Sequence, residues 1–337
     1  MFTFILWLQF ILTAALVVCS GYMICIYADK VAQITKLGRT FIGLMLLAVV
    51  TSLPELIVSI SATRIGALDL VLGDLFGSNL FNLSIVGFIL LIFVKQPTKI
   101  KLDPSHFISS GFSLLFIALA AIGIVFYYSI SPGPSESRIF VDAETALIFV
   151  IYIYGAYAIF RNERTKESKS LTPEENSQKL TVWLKFICYS AILVCSAVLL
   201  AHLGEKISHI PFKGIALGET FVGSLFVAIT TSLPELTVGF SAVKLGFFDM
   251  ALGNIFGSNM FNMFILSISD LVLGRDVILS SVSILHLFTA LFVIISTALV
   301  MASLVYRSQK ETSGLAWDSV SIIFVYFAAN MLIFYLR

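Results

Sequence analysis

The sequence predicts an all-α polytopic membrane protein, with ten transmembrane helices in two inverted-topology five-helix repeats. Three observations lead there. The 337 residues are 58% hydrophobic and only 12% charged, with a mean hydropathy of +0.99, more apolar surface than a soluble domain of this length uses. The apolar residues fall into ten runs, each near the roughly 20 residues a helix needs to cross a bilayer. Residues 37–85 also align without a gap to residues 217–265, and 26 of those 49 positions are identical.

In chain order, the first predicted span is 3–27. It lacks a basic leading region and its apolar run is too long for a signal peptide, so it reads as a membrane helix. The second, 39–64, contains "TSLPEL", and Pro54 predicts a kink there. The third, 68–95, contains "GDLFGSNLFN", and 106–130 and 140–161 complete the first half. The stretch 162–180, "NERTKESKSLTPEENSQKL", is polar and reads as a solvated linker. Spans 181–203, 217–244, 248–272, 279–304 and 316–336 then form a second set, in which "TSLPEL" and "GNIFGSNMFN" recur. The organisation is a first repeat (1–161), a linker (162–180) and a second repeat (181–337).

Five is odd, so the second repeat enters the membrane with the opposite orientation, an arrangement that recurs in secondary transporters. With ten spans both termini share one side. That side holds six Lys and Arg (Arg64, Arg138, Lys206, Lys213, Arg275 and Arg337), against fifteen on the other. The positive-inside rule predicts both termini outside and the 162–180 linker in the cytoplasm. The net charge of +1 is silent about partners. Cys19, Cys25, Cys188 and Cys195 all lie in predicted spans without metal-ligand spacing, and read as buried apolar residues.

The costly residues are informative. Pro54 lacks an N–H and clashes with the carbonyl of Val50; Pro234 does the same to Thr230. Irregular backbone at membrane depth is tolerated only against protein or a water-filled cavity. A charge at the bilayer centre costs roughly 2.5–3.5 kcal/mol even on lenient scales. Glu55 and Glu235 accept that cost, and no Lys or Arg is predicted at their depth. Two such carboxylates suit a divalent cation. Thr51, Ser52, Thr231 and Ser232 lie beside them, and on the following span Ser78 and Asn82 are four apart, hence on one face. Ser258 and Asn262 repeat that pair. All are oxygen donors of the kind calcium and sodium prefer, and the absence of His and Cys disfavours zinc and copper.

Gly73 and Gly77, like Gly253 and Gly257, form small-xxx-small patterns that read as close helix packing. Asp74 breaks the symmetry, since its counterpart is Asn254. It reads either as a cation-attracting entrance residue or as a cap in the first turn of its helix. Asp69 and Asp249 read as helix caps.

These two "TSLPEL…GSNxFN" units resemble the cation/calcium exchanger superfamily, in its sodium/calcium exchanger branch of prokaryotic type. The resemblance implies a secondary antiporter that exchanges calcium for sodium by alternating access. It implies calcium on Glu55 and Glu235, helped by the backbone oxygens of Thr51 and Thr231. Sodium would be held by the glutamates with Ala48, Ser78, Thr231, Ser258, Ala228 and Thr51, while Ser52, Ser232, Asn82 and Asn262 line the same centre. Family members often have Gly before the Thr-Ser pair, whereas Val50 and Thr230 stand here. Some relatives have Asp at the position of Asn82 or Asn262, and in potassium-dependent exchangers that Asp supports potassium, so two asparagines lean against potassium dependence. The proton-coupled branch typically has an Asn-containing motif before its glutamate, which leans against calcium/proton exchange, the alternative reading.

No cofactor is expected, only the transported ions, and neither an enzymatic motif nor a nucleic-acid partner is indicated. A passive channel would also suit buried carboxylates, but no selectivity filter is evident. A monomer is expected, and the linker, too short for the large regulatory domains of animal exchangers, points to a prokaryotic plasma membrane. A cysteine introduced in the 162–180 linker should resist membrane-impermeant thiol reagents in intact cells; ready labelling there would invert the topology.

Overall fold

The computed structural model describes residues 2–93, 102–130, 143–164, 179–212, 215–216, 226, 228–274, 276–309 and 317–336. These are almost entirely helical: α1 (Phe2–Thr35), α2 (Arg39–Thr51), α3 (Leu53–Arg64), α4 (Leu68–Phe93), α5 (Pro104–Ile130), α6 (Ala143–Arg164), α7 (Lys179–Ser208), α8 (Leu233–Lys244), α9 (Phe248–Leu273), α10 (His286–Gln309) and α11 (Trp317–Leu336). A two-stranded ladder pairs Pro211–Phe212 with Ile215–Ala216. Among the described residues, eight helices are long and apolar enough to cross a membrane, and the broken pair α2–α3 adds a ninth. The expected span 217–244 is described over 228–244, and its residues 217–225 and 227 lie outside the described residues, as do 165–178 of the linker.

The chain forms two compact units, and each draws on both sequence halves. One comprises Met1–Pro54 with Phe160–Gly257, the other Glu55–Ile159 with Ser258–Arg337. In the first unit, α1 packs along α7 and against α8. Helix α1 runs past the expected 27 to Thr35 because its polar end is held. Asp29 accepts from Gln33 one turn on, and also pairs with Arg39 at the start of α2. Arg39 in turn stacks its guanidinium over the Phe247 ring, 4.3 Å from its centroid.

The start of α9 crosses α2 at very short range. A methyl group on Gly253 would lie 2.6 Å from the carbonyl oxygen of Thr40, and one on Gly257 would collide with that of Leu44; Gly43 faces Met250 in the same way. The packing predicted for Gly253 and Gly257 is present. Gly73 and Gly77 differ: a methyl on Gly73 would meet only His286 Cε1, at an ordinary 3.7 Å, and one on Gly77 would meet nothing within 4 Å, so the close packing expected for this pair is not found.

In the second unit, α4 lies against α10 and α11, and α10 also packs on α5. Stacked rings join α6 to α9, with Tyr152 and Phe264 centroids 4.3 Å apart. Asp270, buried near the end of α9, accepts from Thr145 Oγ1 of α6 (2.7 Å) and from the Ile278 backbone N–H (2.9 Å). Asp69 accepts from the Ser283 N–H at 2.7 Å and lies 3.0 Å from His286 Nε2. These two carboxylates pin a stretch in which Ile278–Ser280 makes only a 3-10 turn, so the α-helix α10 begins at His286 and not at 279. Asp69, expected as a cap, lies in the first turn of α4 and ties that helix to the start of α10. Asp74 is the seventh residue of α4, past the first turn, which removes the cap reading for it.

Helices α4 and α9 are the most enclosed, with 78% of their apolar windows buried against 22–44% for the other long spans. Those others present Leu, Ile, Phe and Met outward, as in Ile11, Phe126, Val150, Leu184 and Met331. Such faces suit lipid contact, where hydrophobicity gives no preference for helix over hydrocarbon. Of the four cysteines only Cys25 is buried; Cys19, Cys188 and Cys195 are on outward faces and all four are free. Their expected burial fails because a thiol is apolar enough for a lipid-facing position too.

The glycine crossing gives a direct test. Gly257→Val should destabilise the protein in detergent by about 1–3 kcal/mol or more, as overpacking does. Gly111→Ala, at an open helix position, should be neutral or slightly stabilising. Equal thermal unfolding of the two variants would contradict the close crossing.

Candidate functional site

Both hexapeptides fold alike. The helix ends at Thr51, Ser52 leaves helical geometry (φ −94°, ψ 8°), and a new helix starts at Leu53 with Pro54 in its first turn. In the second copy Ser232 has φ −93° and ψ 15°, and α8 starts at Leu233 with Pro234 in its first turn. The reason is local. A proline cannot donate to the carbonyl four residues back, but it is suited to a helix's first turn. The glutamate that follows then sits in the first turn of a fresh helix, where the unsatisfied N–H groups favour negative charge. Sequence reasoning expected a kinked or broken span, and the break occurs two residues before each proline.

The region before the first break is irregular too. Residues Ile42–Leu47 form a widened π turn that leads into Ala48–Thr51, a distortion frequent at functional sites. After each hexapeptide helix the chain reverses on a glycine. Gly66 and Gly246 adopt φ of 76° and 82°, which close the helices with Ala67 N–H on Ala62 O and Phe247 N–H on Ala242 O. This tight turn sends each hexapeptide helix directly into the helix bearing "GSN".

Nearly all the predicted residues are enclosed. Glu55 is 2% exposed and Glu235 1%; Ala48, Thr51, Ser52, Ser232, Ser78, Ser258, Asn82 and Asn262 are buried, while Thr231, Ala228 and Asp74 are partly so. In the first unit the two copies of the motif touch. Ser52 Oγ of the first donates to Glu235 Oε1 of the second at 3.2 Å. Beside it, Thr51 Oγ1 donates to Asn254 Oδ1 at 3.2 Å and also lies 3.3 Å from the Ala48 carbonyl. Thr231 Oγ1 makes the repeat-related bond to Ala228 O, at 3.0 Å.

In the second unit, Asn82 and Asn262 meet two residues that sequence reasoning passed over. Asn82 Nδ2 donates to Asn259 Oδ1 at 3.0 Å, and Asn262 Nδ2 donates to Asn79 Oδ1 at 3.0 Å. The signal was present, since Asn79 and Asn259 are identical in the two repeats. Asp74 Oδ2 is buried and has no hydrogen-bond partner among the described residues. No group of three or more His, Cys, Asp or Glu that could hold a metal ion occurs among the described residues. The chemistry available is therefore that of a few carboxylates set among hydroxyl, amide and main-chain oxygens, a donor set for hard cations.

Buried carboxylates and oxygen donors on broken, membrane-length helices define a cation transporter. The chain belongs to the sodium/calcium exchanger protein family, whose sequence profile matches residues 5–160 and 181–335. Among curated relatives, it is 27% identical to the sodium/calcium exchanger MaX1 of Methanosarcina acetivorans over 92% of this chain and 93% of that protein. It is 29% identical to the inner membrane protein YrbG of Escherichia coli over 75% of this chain and 77% of that one. It also shares the fold of the sodium-calcium exchanger NCX_Mj, with a TM-score of 0.72 at 21% identity over 97% of this chain and 98% of that one. It is thus a multi-pass cell-membrane protein of a cation-exchanging family.

Proposed function

We propose that this protein is a secondary antiporter that exchanges calcium for sodium by alternating access, with Glu55 and Glu235 as its anionic ligands. The observation that carries this reading is the contact of Ser52 with Glu235. It links the two copies of "TSLPEL" at a buried carboxylate, on a chain whose family exchanges cations. Calcium neutralises two carboxylates at once, and several sodium ions can spread over the same carboxylates and neutral oxygens. Occupancy by one ion then excludes the other, which is what couples their fluxes.

In this reading the remaining ligands are Thr51 and Thr231, through hydroxyl or main-chain oxygens, with Ala48 and Ala228 offering main-chain carbonyls. Ser52, Ser232, Ser78, Ser258, Asn82 and Asn262 complete the oxygen set, and Asp74 attracts cations towards it. Ten spans in two inverted repeats, with both termini outside, would let one chain open the site to either side in turn. Asparagine at both 82 and 262 favours sodium coupling without potassium.

Purified protein in liposomes should take up calcium against an outward sodium gradient, in the absence of potassium. Glu55→Gln and Glu235→Gln, each correctly inserted, should lose that uptake. Normal transport by both variants would place the site elsewhere. Uptake driven by a proton gradient but not by sodium would assign the protein to calcium/proton exchange.

A further inference from the structure

The four asparagines at the α4–α9 contact of the second unit form a directional relay. Asn79, Asn82, Asn259 and Asn262 are all buried, and under the 180-residue repeat Asn79 corresponds to Asn259 and Asn82 to Asn262. An asparagine amide has an oxygen that only accepts and a nitrogen that only donates, so its orientation is set by its partners. Asn259 Nδ2 lies 3.2 Å from the main-chain oxygen of Asn79. A main-chain carbonyl can only accept, so Asn259 must turn its nitrogen there. Its Oδ1 then faces Asn82 and must accept, so Asn82 turns its nitrogen inward. The consequence is at the other end of Asn82, whose Oδ1 is buried with no hydrogen-bond partner among the described residues. The Oδ1 of Asn262, whose nitrogen goes to Asn79, is in the same condition.

A buried amide oxygen without a donor is unfavourable unless something electropositive meets it. We propose that Asn259, with Asn79 as its repeat mate, is a positioning residue that holds Asn82 and Asn262 with oxygen, not N–H, towards the transported cation. This rests on the reading that Asn82 and Asn262 face the ion. The relay supplies what a pair of flippable amides lacks, because an amide that turned its N–H₂ to the cation would repel it. The two halves are not equivalent. Asn259 is anchored on a backbone carbonyl, while Asn79 Nδ2 has no partner among the described residues. The orientation of Asn82 is therefore the more firmly set, and Asn259 is the residue to test.

Calcium uptake under a sodium gradient is measured in liposomes for Asn259→Leu, which has a similar volume and no polar atoms. The calcium concentration for half-maximal uptake should rise about 10–100-fold, the usual effect of losing an outer-shell partner, with a smaller change in maximal rate. The same substitution is then made in the Asn82→Asp background, where both terminal atoms are oxygens and no orientation can be lost. There it should add little. An equal rise in both backgrounds would reduce Asn259 to packing and overturn the relay, as would unchanged half-saturation in a stably folded Asn259→Leu protein. If Asn259→Leu fails to insert, Asn259→Ser, too short to reach the Asn79 carbonyl, is read in the same cycle. Asn82→Leu separates the two levels of the argument. If it leaves calcium affinity intact, the placement of Asn82 at the ion fails, and the relay with it. If it lowers affinity while Asn259→Leu does not, the relay alone fails.

Discussion

Removing a carboxylate from water costs several kcal/mol unless hydrogen-bond donors or a cation meet its charge. Glu55 and Glu235 are almost wholly enclosed within helices of low polarity, and the surrounding structure is organised by that requirement. Each glutamate begins a new helix just after a break, so its charge lies near free N–H groups. In the first unit the hydroxyl of Ser52 adds a donor to Glu235. The breaks that place these charges fall at Ser52 and Ser232, where the backbone leaves helical geometry immediately after Thr51 and Thr231.

Irregular helices of this kind hold their geometry only if something rigid lies behind them. The π turn before Ala48 and the glycine crossing of α2 with the start of α9 do this in the first unit, because backbone meets backbone there with no side chain to yield. In the second unit the asparagine lattice, the Asp270 ties and the aromatic stack of α6 on α9 have the same effect. Oxygen donors placed by backbone and amide contacts keep their distances better than donors on long side chains. Selection between two cations of similar size depends on that.

Much of this was legible in the residues. A glutamate and a proline repeated in two apolar runs predicted enclosed carboxylates at broken helices, and both are found. The small residues at 253 and 257 predicted close packing, because only a missing Cβ allows two backbones so near. Other features depend on tertiary contacts that no local pattern encodes. The late start of α10 follows from Asp69, which captures the Ser283 N–H from far along the chain, together with Asp270, which takes the nearer Ile278 N–H. The reach of α1 to Thr35 depends on the Asp29–Arg39 pair, which apolar run length cannot show. Asn79 and Asn259 were visible as identities in the repeat, but their partners across the helix contact were not.

The central claim is that calcium and sodium compete for one set of oxygens that includes both glutamates. It is tested most directly by equilibrium binding of radioactive calcium to the purified protein, with sodium titrated at constant ionic strength and pH. The account predicts competitive displacement by sodium, steeper than one ion for one, and little displacement by equal concentrations of potassium. Calcium that stays bound while sodium saturates, or sodium that lowers capacity without changing apparent affinity, would mean separate sites and would contradict the account.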